Sequence, residues 1–377
     1  MKILFTGGGS GGHFYPIIAV AEELNTVVME RKLLAPKLYY AGPTPFDEEA
    51  LFKNNLTFIQ SPAGKMRRYF SLLNFFDLFK TALGVIKALF QVFILYPDVI
   101  FSKGGYASFP TVFAAKLFRI PLIIHESDSE PGKVNAWAGK FATRIAVAYP
   151  DAVRFFPKEK TALTGNPVRK SLHTIAKEGA REFLHLSSTY QVVLILGGSQ
   201  GAEVLNDVVL GALPEMVSKY QVLHQTGENK FTEVSQTAAV VLEKSEHKEN
   251  YKPFPYLNEL ALRMAVGASM LIVSRAGSGA ISEIALWGIP SIVVPLPSSV
   301  SHDQEKNAFT YARTGAAVAI LQGNLSPHLL VSEIDRLVRN EPLRMKMTVA
   351  ARSFARPNAG RIIAEAILSI ALKHENA

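Results

Sequence analysis

The stretch Met1 to Pro16, MKILFTGGGSGGHFYP, decides the fold. Residues 2–6 form a short apolar run with strand character, Gly7, Gly8, Gly9, Gly11 and Gly12 follow around Ser10, and a helical pattern begins near Pro16. Glycines at a strand-to-helix turn let the backbone take positive φ and bring N–H groups against an anion, while the helix N-terminus adds a favourable dipole. Diphosphate binding is the chemical reading. A plain tight turn is the bland one, and a single loop supports both equally.

Outward from that loop, strand-like runs alternate with helical patterns twice over. In the first half they fall at 2–6, 37–41, 57–60, 99–101, 122–125 and 144–148; in the second at 192–196, 221–224, 270–273, 291–294 and 317–320. Continuous Val/Ile/Leu runs separated by helices indicate parallel sheets covered on both faces. The expected fold class is therefore α/β, with two doubly wound domains. TGNPVR at 164–169 has linker composition and falls between the two sets, and the chain after Ser326 reads as helical. The expected division is an N-terminal domain 1–165, a C-terminal domain 166–355, and a last segment 356–377 that packs back on the first domain.

The 377 residues suit two domains, and a hydrophobic fraction of 48% with 19% charged residues excludes a disordered or low-complexity chain. Cysteine is absent, which excludes disulfides, cysteine nucleophiles and thiolate metal sites and fits a reducing compartment. The net charge of +8 is uneven: 1–165 carries 19 basic and 13 acidic residues, 166–377 carries 21 and 19. An excess of +6 on the first half points to an anionic surface or substrate, nucleic acid and anionic lipid both being candidates. No signal-peptide architecture is read at Met1. The tract Tyr69 to Tyr96 carries Asn74, Asp77, Lys80, Lys87 and Gln91, too polar for an easy membrane span, and reads as one or two amphipathic helices.

Three more glycine loops recur after strands. Ser102-Lys103-Gly104-Gly105-Tyr106-Ala107-Ser108 belongs to the first half; Gly197-Gly198-Ser199-Gln200-Gly201-Ala202 and Ala276-Gly277-Ser278-Gly279-Ala280 belong to the second. Ligands of open α/β sheets bind at the carboxyl edge of the strands, where all four loops would lie. Four such loops carry far more weight than one. His13 leaves the first loop as a possible base or phosphate donor, though taken alone it reads first as a buried, hydrogen-bonded structural histidine. His125-Glu126-Ser127-Asp128 ends a strand at the same edge and offers an imidazole and two carboxylates for acid/base work, or simply a helix cap with surface charges. Glu283 follows the Gly277 loop at a spacing suited to a ribose, and His302-Asp303-Gln304 precedes a further helix. No acidic residue ends the 37–41 strand, which disfavours a dinucleotide oxidoreductase.

The motifs GGGSGGHFYP, FSKGGYASFP, HESDSEPG, TGNPVR, GGSQGA, SRAGSGAISEIALWGIPSIVVP and HDQEKNA, in this order, resemble the bacterial MurG family of peptidoglycan glycosyltransferases. The resemblance implies a GT-B fold, two Rossmann-like domains whose parallel sheets face a central cleft. It implies transfer of N-acetylglucosamine from UDP-N-acetylglucosamine to lipid I, giving lipid II. By matching position it assigns Ser10, Gly11, Gly12, Asp128, Arg169, Ser199, Phe254, Ser278, Gly279, Ala280, Glu283, Asp303 and Gln304 to the donor. Asn206 and Arg275 also match family positions. Gly104, Gly105, Tyr106 and His125 fall to the acceptor with His13, and His13, or else Glu126, is the expected catalytic base.

No cofactor and no metal are expected, because no carboxylate cluster suits a divalent ion. Expected partners are UDP-N-acetylglucosamine, lipid I, an anionic membrane surface and other cell-wall and division proteins, with nucleic acid excluded. A lipid-linked acceptor implies peripheral attachment to the cytoplasmic face of the plasma membrane. For that attachment Lys65, Met66, Arg67, Arg68, Tyr69 and Phe70, leading into Phe75, Phe76, Leu78, Phe79 and Leu83, have the composition of an interfacial helix. Three positions depart from the family pattern: Asp128 replaces an asparagine, Ala280 stands where threonine is common, and the 297–301 loop is altered. The alternatives are a UDP-sugar epimerase, another lipid glycosyltransferase of GT-B fold, and a noncatalytic nucleotide-binding regulator.

Overall fold

The computed structural model describes residues 1–64, 73–198, 202–301 and 303–375, and their side chains except at 73–78 and 374–375. The chain divides into two compact units, Met1–Lys170 with Arg356–Ala377, and Ser171–Ala355.

The first unit holds β1 (Lys2–Thr6), β2 (Lys37–Gly42), β3 (Leu56–Gln60), β4 (Val99–Ser102), β5 (Leu122–Glu126), β6 (Arg144–Val147) and β7 (Thr161–Leu163). Its helices are α1 (Gly11–Glu30), α2 (Glu48–Lys53), α3 (Leu73–Leu95), α4 (Phe109–Leu117) and α5 (Lys133–Ala138), and α14 (Ala359–Glu375) returns from the chain end. The strands form one parallel sheet in the order β3-β2-β1-β4-β5-β6-β7. Both faces of β1 are buried, which explains its unbroken apolar run: Ile3 and Phe5 join α1 and α14 in one cluster, while Leu4 packs with Val112 and Ala115 of α4 on the other side. Ile363, Ala364, Ile367, Leu368 and Ala371 give α14 the 3.6-residue stripe that seats it against α1.

The second unit holds β8 (Gln191–Leu196), β9 (Tyr220–Gln225), β10 (Tyr251–Phe254), β11 (Leu271–Arg275), β12 (Ser291–Val294) and β13 (Ala317–Ala319), ordered β10-β9-β8-β11-β12-β13 and again parallel. Its helices are α6 (Ala180–Phe183), α7 (Glu203–Val217), α8 (Phe231–Val241), α9 (Glu259–Ala268), α10 (Ser278–Trp287), α11 (Gln304–Arg313), α12 (Pro327–Arg339) and α13 (Glu341–Phe354). Val193 and Ile195 face α7 and α12; Val192 and Leu194 face α9 and α10.

Two strands escape the sequence pattern. β7 is a three-residue edge strand, and β10 contains Pro253, which removes a ladder donor and is tolerated because β10 is itself an edge.

In both sheets the strand order reverses beside one strand: at β1/β4 in the first unit and at β8/β11 in the second. Ligands of doubly wound sheets bind outside the carboxyl ends at such a reversal. The glycine loops after β1 and β4 flank the first, with Thr6 paired to Ser102; those after β8 and β11 flank the second, with Leu196 paired to Ser274.

Helix α3 leaves a long apolar face uncovered. Phe79, Leu83, Ile86, Phe90, Phe93 and Ile94 are exposed, whereas Ala88 and Val92 are buried on its opposite side. Gly84 is the close point: a Cβ there would lie 1.9 Å from the carbonyl oxygen of Pro62, so no larger residue fits. Residues 65–72 and the side chains of Phe75, Phe76 and Leu78 lie outside the described residues, so of the expected interfacial positions Phe79 and Leu83 are the ones placed in the open. No helix among the described residues is long and apolar enough to cross a membrane.

Candidate active site

The first loop is built by close approach. Tyr40 donates its hydroxyl to the Gly7 carbonyl at 2.9 Å, and a Cβ on Gly9, whose φ is +87°, would sit 2.8 Å from the Tyr106 ring. Ser10 is the N-cap residue of α1, yet its hydroxyl makes no cap bond and instead meets His13 Nδ1 at 2.9 Å. Gly11 and Gly12 form the opening turn of the helix, and His13 lies against the second loop, its Nε2 3.3 Å from where a Gly105 Cβ would be.

The second loop, Lys103 to Gly105, is wedged between His13 on one side and Asn135 on the other. A Cβ on Gly104, at φ +80°, would lie 2.5 Å from Asn135 Nδ2, and one on Gly7 would lie 2.9 Å from the Lys103 Cβ. Lys103 is 1% exposed and its ammonium has no hydrogen-bond partner.

β5 delivers His125 and Glu126 at the same edge. His125 is fully buried, and its Nε2 donates to the Gly165 carbonyl at 2.9 Å, which fixes the tautomer and leaves Nδ1 bare and unpartnered. Both carboxylate oxygens of Glu126 are occupied: Oε1 accepts from the Asp128 amide at 3.0 Å, Oε2 from Gly132 N–H at 3.1 Å and Asn135 Nδ2 at 3.0 Å. The same Asn135 amide donates to the His125 carbonyl at 3.0 Å. Asp128 is half-buried next to this carboxylate.

The electrostatics follow from crowding ionisable groups away from water. Burial, and then the Lys103 charge, lower His13 to about 4, so its imidazole is neutral at pH 7. His125 is held well below the usual range, first by burial. Burial and the neighbouring Asp128 charge raise Glu126, against the hydrogen bonds from Asn135 and the Asp128 amide and the Lys103 charge. Lys103 is lowered by burial, while Glu126 and Asp128 pull it upward. Arg169 lies in the first unit, its guanidinium 4.1 Å from the centre of the Tyr15 ring on α1.

In the second unit, Gly277 is the N-cap of α10, and added Cβ atoms on Gly277 and Gly279 would meet nothing within 4 Å, so the helix start is open. Ser278, Gly279 and Ala280 form its first turn, with Glu283 one turn later and half-buried. Arg275 ends β11, its guanidinium donating to the Val294 carbonyl at 3.3 Å. Phe254 ends β10 and its carbonyl accepts from Thr226 N–H at 2.9 Å. Asp303 precedes α11, and Gln304 Oε1 accepts from Leu296 N–H at 3.0 Å, strapping the altered loop. Ser199 and His302 lie outside the described residues. Asn206 is buried in a structural network, its Oδ1 meeting His224 Nε2 at 3.1 Å and its Nδ2 donating to the Thr226 carbonyl at 3.0 Å. No group of His, Asp and Glu able to hold a metal occurs among the described residues.

Sequence reasoning missed Asn135 as the strap of Glu126 and gave Lys103 no role. The signal for Lys103 was a charged side chain directly after a fully buried strand; nothing in the sequence marked Asn135.

Residues 3–147 match the glycosyltransferase family 28 N-terminal domain, and residues 192–362 match the family 28 C-terminal domain. A Treponema denticola protein named UDP-N-acetylglucosamine--N-acetylmuramyl-(pentapeptide) pyrophosphoryl-undecaprenol N-acetylglucosamine transferase is 36% identical over 97% of both chains. A Bacillus cereus protein of that name, numbered 2, is 35% identical over 91% of this chain and 93% of its own. The crystal structure of Acinetobacter baumannii MurG superposes with a TM-score of 0.72 at 25% identity, covering 98% of this chain and 99% of the other. A Neisseria meningitidis UDP-GlcNAc 2-epimerase bound to UDP-GlcNAc shares the fold, with a TM-score of 0.69 at 16% identity and 98% and 100% coverage.

Proposed function

This chain belongs to glycosyltransferase family 28, in its MurG branch, and from that premise we infer how its two units divide the chemistry. It is an N-acetylglucosaminyltransferase of peptidoglycan synthesis, moving N-acetylglucosamine from UDP-N-acetylglucosamine to lipid I to give lipid II. The reaction inverts the anomeric carbon: the 4-hydroxyl of the muramoyl sugar attacks and UDP leaves.

An inverting displacement needs one base on the acceptor hydroxyl, and His13 takes that role. The observation that carries this is the Ser10–His13 pair at the β1/β4 reversal. With Nδ1–H donating to the Ser10 oxygen, the lone pair sits on Nε2, and the depressed pKa keeps it available. Glu126 is the weaker candidate because three N–H groups already hold its oxygens. Gly104, Gly105 and Tyr106 complete the acceptor side.

The second unit takes the donor. The open N-terminus of α10, at Ser278, Gly279 and Ala280, presents N–H groups and a positive dipole end to the diphosphate and to the charge that develops as UDP departs. Glu283 accepts from the ribose hydroxyls and Phe254 borders the uracil. Asp303 and the amide nitrogen of Gln304 face the sugar, Ser199 assists the diphosphate, and Arg169 is a further donor residue that belongs to the first unit.

The first unit brings the enzyme to its lipid-linked acceptor through α3, whose open aromatic face lies next to exposed Lys80 and Lys87. This is the composition of an interfacial helix, and it supports peripheral attachment to the cytoplasmic face of the plasma membrane.

The deciding assay counts UDP released from UDP-N-acetylglucosamine with and without lipid I. Release that requires lipid I, and that His13→Ala lowers by about 10²–10⁴-fold while UDP still binds, is expected. Acceptor-independent release, or release unaffected by the substitution, would overturn the assignment of the base.

A further inference from the structure

Lys103 is the unexplained charge of the first unit. It follows β4 directly, its backbone N–H donates to the Thr6 carbonyl at 2.9 Å, and its side chain is driven inward beside Gly7. Flexible ammonium groups normally reach water, and one held inside without a hydrogen-bond partner is disfavoured in its charged form, a penalty that Glu126 and Asp128 offset in part.

The neighbours are the acid/base groups of the site. The wedge of Lys103 to Gly105 separates His13, on α1, from Asn135, on α5, which straps Glu126 and the His125 carbonyl of β5. Asp128 follows β5, and Tyr40 on β2 and Tyr106 after β4 close the loop from the other side. Among the described residues no hydrogen bond ties the Lys103 ammonium to one carboxylate, and Glu126 and Asp128 act on it through space. It therefore acts as a field over the whole cluster, strongest where water is excluded.

We propose that Lys103 is a positioning residue for the transfer: its buried, unpartnered ammonium keeps the His13 imidazole unprotonated, so that the ring at the glycine loops can take the acceptor's proton. The proposal deepens the assignment of His13 as base and rests on it. Protonating His13 against a loop that carries a buried cation is unfavourable, and that share of the effect disappears if the cation is removed. Burial of the imidazole works in the same direction, so a neutral residue at position 103 leaves part of the depression in place.

The test is the pH profile of kcat/KM for lipid I, read as UDP release, in the wild type, Lys103→Met, Lys103→Gln and Lys103→Arg. Loss of the charge should move the acidic limb upward by about one pH unit, while Lys103→Arg keeps the limb near its wild-type position. UDP affinity, a property of the second unit, should be unchanged in all three. Neutral variants that lower the rate at every pH with an unmoved limb would overturn the proposal and leave Lys103 a packing residue, even with His13→Ala inactive. A His13→Ala enzyme with wild-type rate and profile would overturn the base assignment and this inference together. Should both neutral variants fail to fold, Lys103→Ala is compared with the wild type by histidine NMR titration: a His13 that titrates higher without the ammonium supports the proposal, and one that titrates at the same value with and without it, or at about 6.5 in the wild type, overturns it.

Discussion

The Ser10 hydroxyl meets His13 Nδ1 at 2.9 Å, three residues along the same helix start, and does so instead of capping α1. A serine at this position would ordinarily accept from an N-terminal N–H of the helix, worth about 1 kcal/mol. Here the hydroxyl orients an imidazole, so the loop favours the ring over the helix end.

Ser10→Ala therefore separates catalysis from stability. Because no cap bond is lost, the thermal midpoint should be unchanged. If the hydroxyl accepts from Nδ1–H, losing that partner should lower kcat by about tenfold, or about 1.4 kcal/mol, in steady-state UDP release. A variant with lower stability and full kcat would show that the hydroxyl serves the fold.

Glu283 lies one turn into α10, beyond the open helix start. If its carboxylate accepts from the ribose hydroxyls, Glu283→Ala should raise the donor KM and remove about 2–4 kcal/mol of transition-state stabilisation, as for truncating a charged hydrogen-bond partner. Unchanged donor kinetics would show that the ribose is held elsewhere.

Asp128 stands where the family pattern has an asparagine; its hydrogen bond to Glu126 runs through the backbone amide, which any residue supplies, and its carboxylate acts on Glu126 and Lys103 through charge alone. Asp128→Asn should accordingly leave kcat/KM within about tenfold. A loss of several orders of magnitude would give the carboxylate a chemical role of its own.

His224 supplies a pH signature for the second unit. It is fully buried between Asn206 and the Tyr251 hydroxyl, 3.1 Å and 3.0 Å away, and burial lowers it to about 3. Between that value and its unfolded value near 6.5 the unfolded chain binds the extra proton. The stability it contributes is thus complete above about pH 6.5 and lost progressively as the pH falls towards 3. Denaturant midpoints measured from pH 7 to 4 should fall in the wild type and fall less steeply in His224→Gln; parallel curves would assign the acid lability to other groups.

The periodic and punctuated parts of this fold were legible in the sequence, and the parts fixed by tertiary packing were not. Buried parallel strands read as Val/Ile/Leu runs, and glycine marks the two loops of the first unit because close approach to Tyr40, Tyr106, Asn135 and Lys103 leaves no room for a side chain, whereas in the second unit Gly197 is crowded by the Gln225 carbonyl and Gly277 and Gly279 stand in open space. The edge strands β7 and β10 lacked that pattern, one being too short and the other carrying Pro253. The side-chain partner of Glu126 came from a helix nine residues on, and the stacking of Arg169 on Tyr15 from a residue more than 150 positions away, pairings that no local spacing announces. The apolar face of α3 was anticipated only at its start: composition suggested an amphipathic helix, but whether Phe90 and Phe93 turn inward or outward depends on what α4 leaves uncovered.

That face supports the last prediction. Phe90 is 67% and Phe93 63% exposed, one turn apart on the outer side of α3, while Ala88 and Val92 hold the helix to the unit. Replacing exposed aromatics removes little buried surface, so Phe90→Ser with Phe93→Ser should leave the fold and the affinity for UDP intact. A membrane-bound face would lose about 1.5–3 kcal/mol of apolar burial for each ring removed, more than most peripheral contacts can spare. Each exposed lysine near an anionic leaflet adds about 1 kcal/mol, falling with salt. Co-sedimentation with vesicles containing anionic lipid should therefore drop at high salt in the wild type and be largely abolished in the double variant at low salt. Turnover of lipid I in those vesicles should fall in parallel, whereas a short-chain, water-soluble acceptor should be turned over normally. Co-sedimentation that ignored both the substitutions and the salt would place membrane docking on another surface.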